Sequence, residues 1–428
     1  MGKNAWRKFV NILFLTSQIP NPDSGGTIRP FHLIKNFSEN YNYNILLISF
    51  VNETQKSYVK EIEKYCRDII LFPIQKDNEK KIAIKTFLNA LSPMNIASKI
   101  ISKNGIFDIS YFRRKGVQKE IDRFIKQHKI DVIYSDAAMA GYVANSSLPK
   151  IIEPLDINYQ NWFHYFIEKN NFFIRIYWLI RTLQTFYRET IIFRKFDYCI
   201  VVTETDKNYI NKFLSNILVI PNGTDIHYFK PKNIKAVKPS IVFTGVMNGG
   251  KNVEAVLYFY SNIYPIVKRE CPNIKFYIVG KNPSLQIRDL TEDPSVSVTG
   301  FVEDIRPFLE KSSVYVCPHV SGSGIKNKVL EAMAMEKPVV STSIGALGIN
   351  FDKSEIIIAD EPEDFANAIL KLLKNVTLRD NMGKNARKLI IEKYSWDKCC
   401  ERLNEIIKNS DKTIKVYNYI IGDQNDNG

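Results

Sequence analysis

The sequence predicts an α/β protein of two domains, each a parallel sheet wound on both faces by helices. Three observations predict it. Short apolar runs alternate with amphipathic stretches from residue 11 to about 135, and again from 240 to 373; such alternation folds as a doubly wound parallel sheet. The two series are separated by Lys230–Pro239, which holds two prolines and four lysines and reads as a linker. Each series carries a glycine-bearing loop between an apolar run and a helix, Ser24-Gly25-Gly26 in the first and Ser321–Gly324 in the second. At 428 residues the chain has room for two or three domains.

Taken in order, Asn11–Thr16 is a buried strand, followed by a loop with Pro20, Pro22, Gly25 and Gly26. Ile28, Phe31, Ile34 and Phe37 share one face of a helix over Thr27–Asn40. Tyr43–Ser49 is a strand, Thr54–Tyr65 a polar helix, Ile69–Pro73 a strand, Gln118–His128 a helix and Asp131–Ser135 a strand. The segment Asn161–Phe196 is crowded with aromatics and carries Arg175, Arg181, Arg188 and Arg194. Aromatics at helical spacing suit a core; aromatics interleaved with arginines also suit a helix lying on a membrane surface. Strands follow at Tyr198–Thr203 and Ile217–Ile220. The second series reads strand Ser240–Thr244, helix Asn252–Ile263, strands Ile274–Val279 and Val296–Thr299, helix Ile305–Glu310, strand Val314–Cys317, helix Ile325–Met335, strand Pro338–Ser341 and helix Pro362–Leu373. A helix over Trp396–Lys408 closes the pattern, and the polar tail Gly422–Gly428 reads as disordered. The expected domains are 1–229, 230–395, and a segment 396–428 whose helix packs back toward the first domain. Two such units are expected to face each other across a cleft lined by the C-terminal ends of their strands.

Composition bounds the chemistry. Hydrophobic residues make up 45% and charged residues 24%, an ordinary globular balance. The net charge is +14, concentrated in residues 1–220, with 31 basic against 20 acidic side chains; the remainder has 28 against 25. A basic half suits a soluble lysine-rich surface, an anionic lipid or a phosphorylated ligand, and no nucleic-acid module accompanies it. The six cysteines form no C-x-x-C pair, which fits a reducing compartment rather than a zinc site. The N-terminal apolar run is too short for a signal peptide and no stretch of about 20 apolar residues occurs, so a cytoplasmic protein is expected. No Asp-x-Asp pair and no histidine ligand spacing appears, so neither metal nor cofactor is expected.

The strongest chemical signal is VYVCPHVSGSGIKNKVLEAMAMEKPVVS, from Val314 to Ser341. Gly322 and Gly324 allow close backbone approach to a ligand, and the helix start over Gly324, Ile325, Lys326, Asn327 and Lys328 offers N–H groups and positive dipole to a phosphate. Glu331, about two turns on, can accept two hydrogen bonds from a vicinal diol such as ribose. An ordinary glycine turn before a core helix is the competing account. In the first half Gly25 and Gly26 precede a helix bearing Arg29, a second anion candidate, or a glycine turn with a surface arginine.

With these residues in view, the chain resembles the retaining glycosyltransferases of the two-Rossmann-domain (GT-B) fold in family 4, or group 1. The likeness rests on an ordered set: RKFDYCIVVT (Arg194–Thr203), VIPNGTD (Val219–Asp225), Phe243-Thr244-Gly245, Lys251, Ile278-Val279-Gly280, Gly300-Phe301-Val302, Leu330-Glu331-Ala332-Met333-Ala334, Lys337-Pro338-Val339-Val340 and Tyr394-Ser395-Trp396. The resemblance implies a nucleotide-sugar donor, UDP- or GDP-linked, held by the second half. Thr244, Gly245, Gly280, Phe301 and Val302 would surround the nucleotide, Lys251 the diphosphate and Glu331 the ribose, with Gly25, Gly26 and Arg29 beside the diphosphate. It implies a glycan or lipid-linked acceptor at the first half, and domain closure that excludes water. Three positions depart from the pattern. Ser323 stands where the family usually has a first Glu, Val246 where it often has an Arg, and Ser135-Asp136-Ala137 where a His is common. The run Gly324–Lys328 resembles a subgroup tied to exopolysaccharide synthesis that also lacks the first Glu, so Ser323 is read as subgroup character, and Lys326 or Lys328 as the replacement for the missing charge. His319 is a contact to donor sugar or acceptor, or a structural loop histidine. Asp136 orients the acceptor hydroxyl, or caps a helix. Lys251, Glu331 and Asp136 form the catalytic set. Two other functions stay open: a nucleotide-sugar epimerase, which would act on UDP-sugar without acceptor, and a non-catalytic partner subunit, which would turn over no donor.

Overall fold

The computed structural model describes residues 10–23, 25–74, 116–168, 170–232, 239–322 and 324–409. Most of the linker (233–238), Ser323 and the polar tail 422–428 lie outside them. The chain forms two compact units, one built from residues up to Ile220 together with those from Cys400 onward, the other from Pro221 to Cys399. The break therefore falls at the end of the last strand of the first sheet, before Pro221-Asn222-Gly223, rather than at residue 229.

The first unit holds a seven-stranded parallel sheet: β1 (Asn11–Thr16), β2 (Asn44–Val51), β3 (Asp68–Pro73), β4 (Val132–Asp136), β5 (Lys150–Glu153), β6 (Tyr198–Val201) and β7 (Ile217–Val219), in the order β3-β2-β1-β4-β5-β6-β7. β1 pairs in register with β2 and β4, from Asn11 opposite Asn44 and from Ile12 opposite Val132. Its run Ile12–Leu15 is fully buried, as a central strand covered on both faces must be. The helices Gly25–Asn40 and Val117–His128 turn Phe31, Ile34 and Phe37, and Val117, Ile121 and Phe124, inward.

The second unit repeats the plan with β8 (Ser240–Thr244), β9 (Lys275–Val279), β10 (Val296–Val298), β11 (Val314–Cys317), β12 (Val339–Ser341) and β13 (Ile357–Ile358), in the order β10-β9-β8-β11-β12-β13. Phe243, Phe259, Phe276 and Phe365 lie in its core. The helix expected over 252–263 spans Gly250–Tyr258, passes through a wide turn at Phe259–Ile263 and continues over Tyr264–Glu270. The chain thus runs through Pro265, whose missing N–H falls at the start of the second segment where no partner is needed. In both sheets the winding reverses beside the first strand, between β1 and β4 and between β8 and β11. Ligands of doubly wound sheets bind at the strand C-termini flanking that reversal.

The aromatic segment forms two packed helices, Tyr159–Glu168 and Phe172–Tyr187. Its side chains divide between packed and exposed positions. Trp162 stacks on Trp178 at 5.2 Å and Tyr165 on Trp178 at 5.0 Å, while Phe163, Ile167, Phe172, Ile174 and Leu183 are 45–68% exposed. The buried Glu189 carboxylate anchors the hairpin by accepting the N–H groups of Asn158 and Tyr159 at 2.9 and 3.1 Å.

Candidate active site

In the second unit the reversal point is built by three pieces of chain. β8 ends at Thr244 and turns at Gly245 toward the helix Gly250–Tyr258. β11 ends at Cys317 and leads through His319 to the glycine loop. The helix Asn327–Ala334 follows. It begins two residues later than the sequence suggested, with Lys326 extended at its N-cap. Gly280 makes the turn after β8 possible: a Cβ there would lie 1.7 Å from the Gly245 carbonyl oxygen. Gly245 and Gly280 adopt φ of +158° and +148°, a region glycine enters without a side-chain clash.

Glu331 stands half-buried on that last helix, and its carboxylate receives no hydrogen bond from any described residue. Burial pushes its pKa up to about 7, with the Lys328 charge pulling back. A desolvated carboxylate with open acceptor positions is a group made for hydroxyl donors. Three lysines gather at this reversal point, of which Lys328 acts on the carboxylate directly. A side chain on Gly322 would meet the Lys326 ammonium at 3.4 Å and the Lys251 stem at 3.5 Å, so these two flank the loop. Lys326 also donates to the Gly324 carbonyl at 2.9 Å. Lys328 lies 4.8 Å over the Phe243 ring, and burial lowers its pKa to about 8. The charges of Lys328, Lys326 and Lys251 all reach His319, whose pKa burial first, and they second, depress to about 3. His319 is therefore a neutral ring at physiological pH.

Glu331, Lys251, Lys326, Lys328, Gly245 and the glycine loop are thus brought together. Asn327 is engaged with Asn222, whose amide donates to it at 3.2 Å. Phe301 projects into solvent at 72% exposure, at the rim of a groove of about 470 Å³ lined with Asn282, Pro283, Arg288 and Thr299; Val302 beside it is half-buried. Ile325 is nearly buried and supports the helix start.

Several expectations need correction. Thr244 is buried and its hydroxyl pairs with that of Tyr315 at 3.1 Å, so it serves the sheet. His319 is 2% exposed and lies beneath the site, between Cys317 Sγ at 3.4 Å and Asn252 Oδ1 at 3.2 Å; of its two readings the structural one holds. In the first unit Arg29 does not face outward from the Gly25-Gly26 turn. It is 2% exposed and pairs with the equally buried Glu153 at 2.5 Å, to which Tyr134 also donates. A buried carboxylate demands a partner, and Arg29 is consumed in meeting that demand. Asp136 accepts the N–H of Ser17 at 2.5 Å and that of Met139 at 2.9 Å, so it pins the exits of β1 and β4 together. It braces the turn that leads to the helix Ala140–Val143, whose N-cap is Met139, and both oxygens are committed. Gly25 and Gly26 remain exposed at the start of their helix; a Cβ on Gly26 would strike Leu155 at 2.4 Å. Asn252 was not singled out from the sequence. An asparagine in the first turn of a helix carries no chemical signature until its neighbours are known.

Comparison with known proteins bears on this geometry. Residues 238–375 match the family model described as glycosyl transferases group 1. The chain is a glycosyltransferase whose residues 238–375 form a group 1 domain. It is 22% identical over 399 residues to an uncharacterized 44.6 kDa protein in the cps region of Klebsiella pneumoniae, an alignment covering 90% of this chain and 97% of that one. It is 29% identical over 162 residues to the capsular polysaccharide biosynthesis glycosyltransferase CapM of Staphylococcus aureus, covering 35% and 42% of the two chains. Among solved structures it resembles Anabaena HepE in complex with UDP and glucose, with a TM-score of 0.63 at 15% identity, over 94% of this chain and all of that one. That last likeness establishes the GT-B fold.

Proposed function

We propose that the protein transfers a sugar, with retention of anomeric configuration, from a UDP- or GDP-sugar to a glycan or lipid-linked acceptor in bacterial surface-polysaccharide synthesis. The observation that carries this reading is the unsatisfied, half-buried carboxylate of Glu331 facing the Lys328 charge, with Lys251 and Lys326 flanking the glycine loop of the same reversal point. In this reading the ribose diol donates to Glu331, the diphosphate lies against the lysines and the start of the helix Asn327–Ala334, and the growing charge on the leaving diphosphate is held by these groups without a metal or other cofactor. The capsular relatives support the polysaccharide assignment, and the UDP-bound fold relative supports the donor class. A thermal-shift panel of UDP-, GDP- and ADP-glucose tests the donor: one nucleotide is expected to raise the melting point of the wild-type chain and to leave Glu331→Ala unmoved. No shift with any of them would remove the donor site. Proton NMR of the stabilising donor incubated alone separates transfer from epimerisation, since an epimerase changes the sugar without acceptor.

The aromatic hairpin supports a place for the enzyme on the inner face of the membrane. No helix among the described residues is long and apolar enough to cross one. The exposed apolar side chains of Phe163, Ile167, Phe172 and Ile174 accompany Arg175 and Arg181, and Glu168 is the only acid between Tyr159 and Arg188. Apolar anchors with a basic excess match an anionic lipid surface. The chain is expected to float with phosphatidylglycerol-containing vesicles and much less with pure phosphatidylcholine, and Phe172→Ser with Ile167→Ser to lose the difference. Equal flotation with both lipids would remove this part of the reading.

A further inference from the structure

The amide of Asn252 occupies a junction under the donor site. Its Nδ2 donates to the Val246 carbonyl at 2.9 Å. Its Oδ1 accepts from the Lys328 ammonium and from His319 Nε2, the latter at 3.2 Å. The orientation is fixed by chemistry: an ammonium only donates and a carbonyl only accepts, so the amide oxygen must face Lys328 and the amide nitrogen Val246. His319 Nε2 then carries the proton, and its Nδ1 is left to accept from the Cys317 thiol. The ammonium of Lys328 is packed tightly, since a Cβ on Gly245 would fall 2.9 Å from it and 3.0 Å from Asn252 Nδ2. Yet it forms no salt bridge within 4 Å, and Asn252 is its one hydrogen-bond partner among the described residues. A half-buried ammonium with two N–H groups unspent is poised for an anion.

We propose that Asn252 is a positioning residue that holds the Lys328 ammonium against the Gly245 turn, so that Lys328 rather than Lys326 is the inner cation for the donor diphosphate. This rests on the donor-site reading above. Lys326 spends a donor on Gly324 within its own loop, whereas Lys328 is fixed from outside its helix by the Asn252 amide, itself held by Val246 and His319. The groups that face Lys328 are Cys317 and His319 from the end of β11, Glu331 from its own helix, and Lys326 from the loop. The neutral histidine spares the ammonium a further like charge.

The test is calorimetric titration of the purified full chain with UDP, and with GDP in parallel, from pH 6.5 to 9.5. Parent affinity is expected to fall as Lys328 loses its proton above about pH 8. Asn252→Ala is expected to weaken binding about tenfold at pH 7, the value of a hydrogen bond to a charged group, and to move the alkaline limb to lower pH. Asn252→Asp moves the limb the other way, because a carboxylate keeps the ammonium charged. Lys328→Met abolishes the limb, and adding Asn252→Ala to it costs nothing more, as expected of residues acting through one another. Additive losses in the double variant, or alkaline limbs that coincide in parent, Ala and Asp proteins, overturn the proposal while leaving the donor site standing. Failure of the parent to bind either nucleotide while folded overturns the donor-site reading and this inference with it.

Discussion

Glu331→Gln separates what Glu331 does for the fold from what it does for the ligand. Burial raises the carboxyl from its ordinary 4.5 to about 7. Below pH 4.5 the group is neutral in folded and unfolded chains and costs nothing. Between 4.5 and 7 the unfolded chain ionises first, so stability is lost as pH rises; above 7 the loss is complete. At about 1.4 kcal/mol per pH unit that loss is about 3.5 kcal/mol, or about 2–3 kcal/mol once partial access to water is allowed for. The glutamine variant, uncharged at every pH, is expected to melt roughly 4–10 °C above the parent at pH 8 and within a degree or two of it at pH 4.5, for a unit of this size. It is also expected to bind UDP or GDP at least about tenfold more weakly, since a charged acceptor has been lost. Differential scanning fluorimetry across pH gives the first number and calorimetry the second. A variant that melts with the parent at pH 8 would refute the claim that this carboxylate is held ionised against its environment. A variant that melts higher yet binds nucleotide normally would refute its role with the diol.

Three further outcomes follow from the same geometry. Arg29→Met strands Glu153 in the core and is expected to lower the unfolding free energy measured in urea by about 3–5 kcal/mol, with the double variant Arg29→Met/Glu153→Leu less affected than the single one. Gly280→Ala forces a methyl into the Gly245 carbonyl and is expected to cost about 3 kcal/mol in the same assay. The His319 ring, with its pKa near 3, is expected to show no titration by NMR between pH 8 and 5.

The parts of this fold that were legible in the sequence share a simple cause. Asn11–Thr16, Ser240–Thr244 and Val314–Cys317 are unbroken apolar runs, and the central strands of a doubly wound sheet are buried on both faces. β5, only Lys150–Glu153, lies between Pro149 and Pro154 and reads as loop. The helix Val376–Lys393 buries Met382, Gly383, Ala386, Leu389 and Ile390 among charged residues, a face too narrow and too small-chained to stand out. In the site, Glu331 and the lysines were legible because loop, helix start and spacing place them together. Arg29 is misplaced by the sequence, and Asp136 and His319 are left between two readings, for one reason: a position at a strand end or first helical turn fixes where the backbone is, not which way the side chain turns. The deciding partners, Glu153, Ser17 and Cys317 with Asn252, come from other elements.

The return of the chain to the first unit at Cys400 has a consequence for biosynthesis. Cys400, Leu403 and Ile407 are buried there, and the Tyr43 hydroxyl meets the Asn404 side chain. Although β1 to β7 leave the ribosome first, the surface they prepare for this segment stays bare until the entire second unit has been translated. The later-made half can thus reach its finished state before the earlier one, which would wait, partly assembled and in reach of chaperones, for residues made only after the second unit.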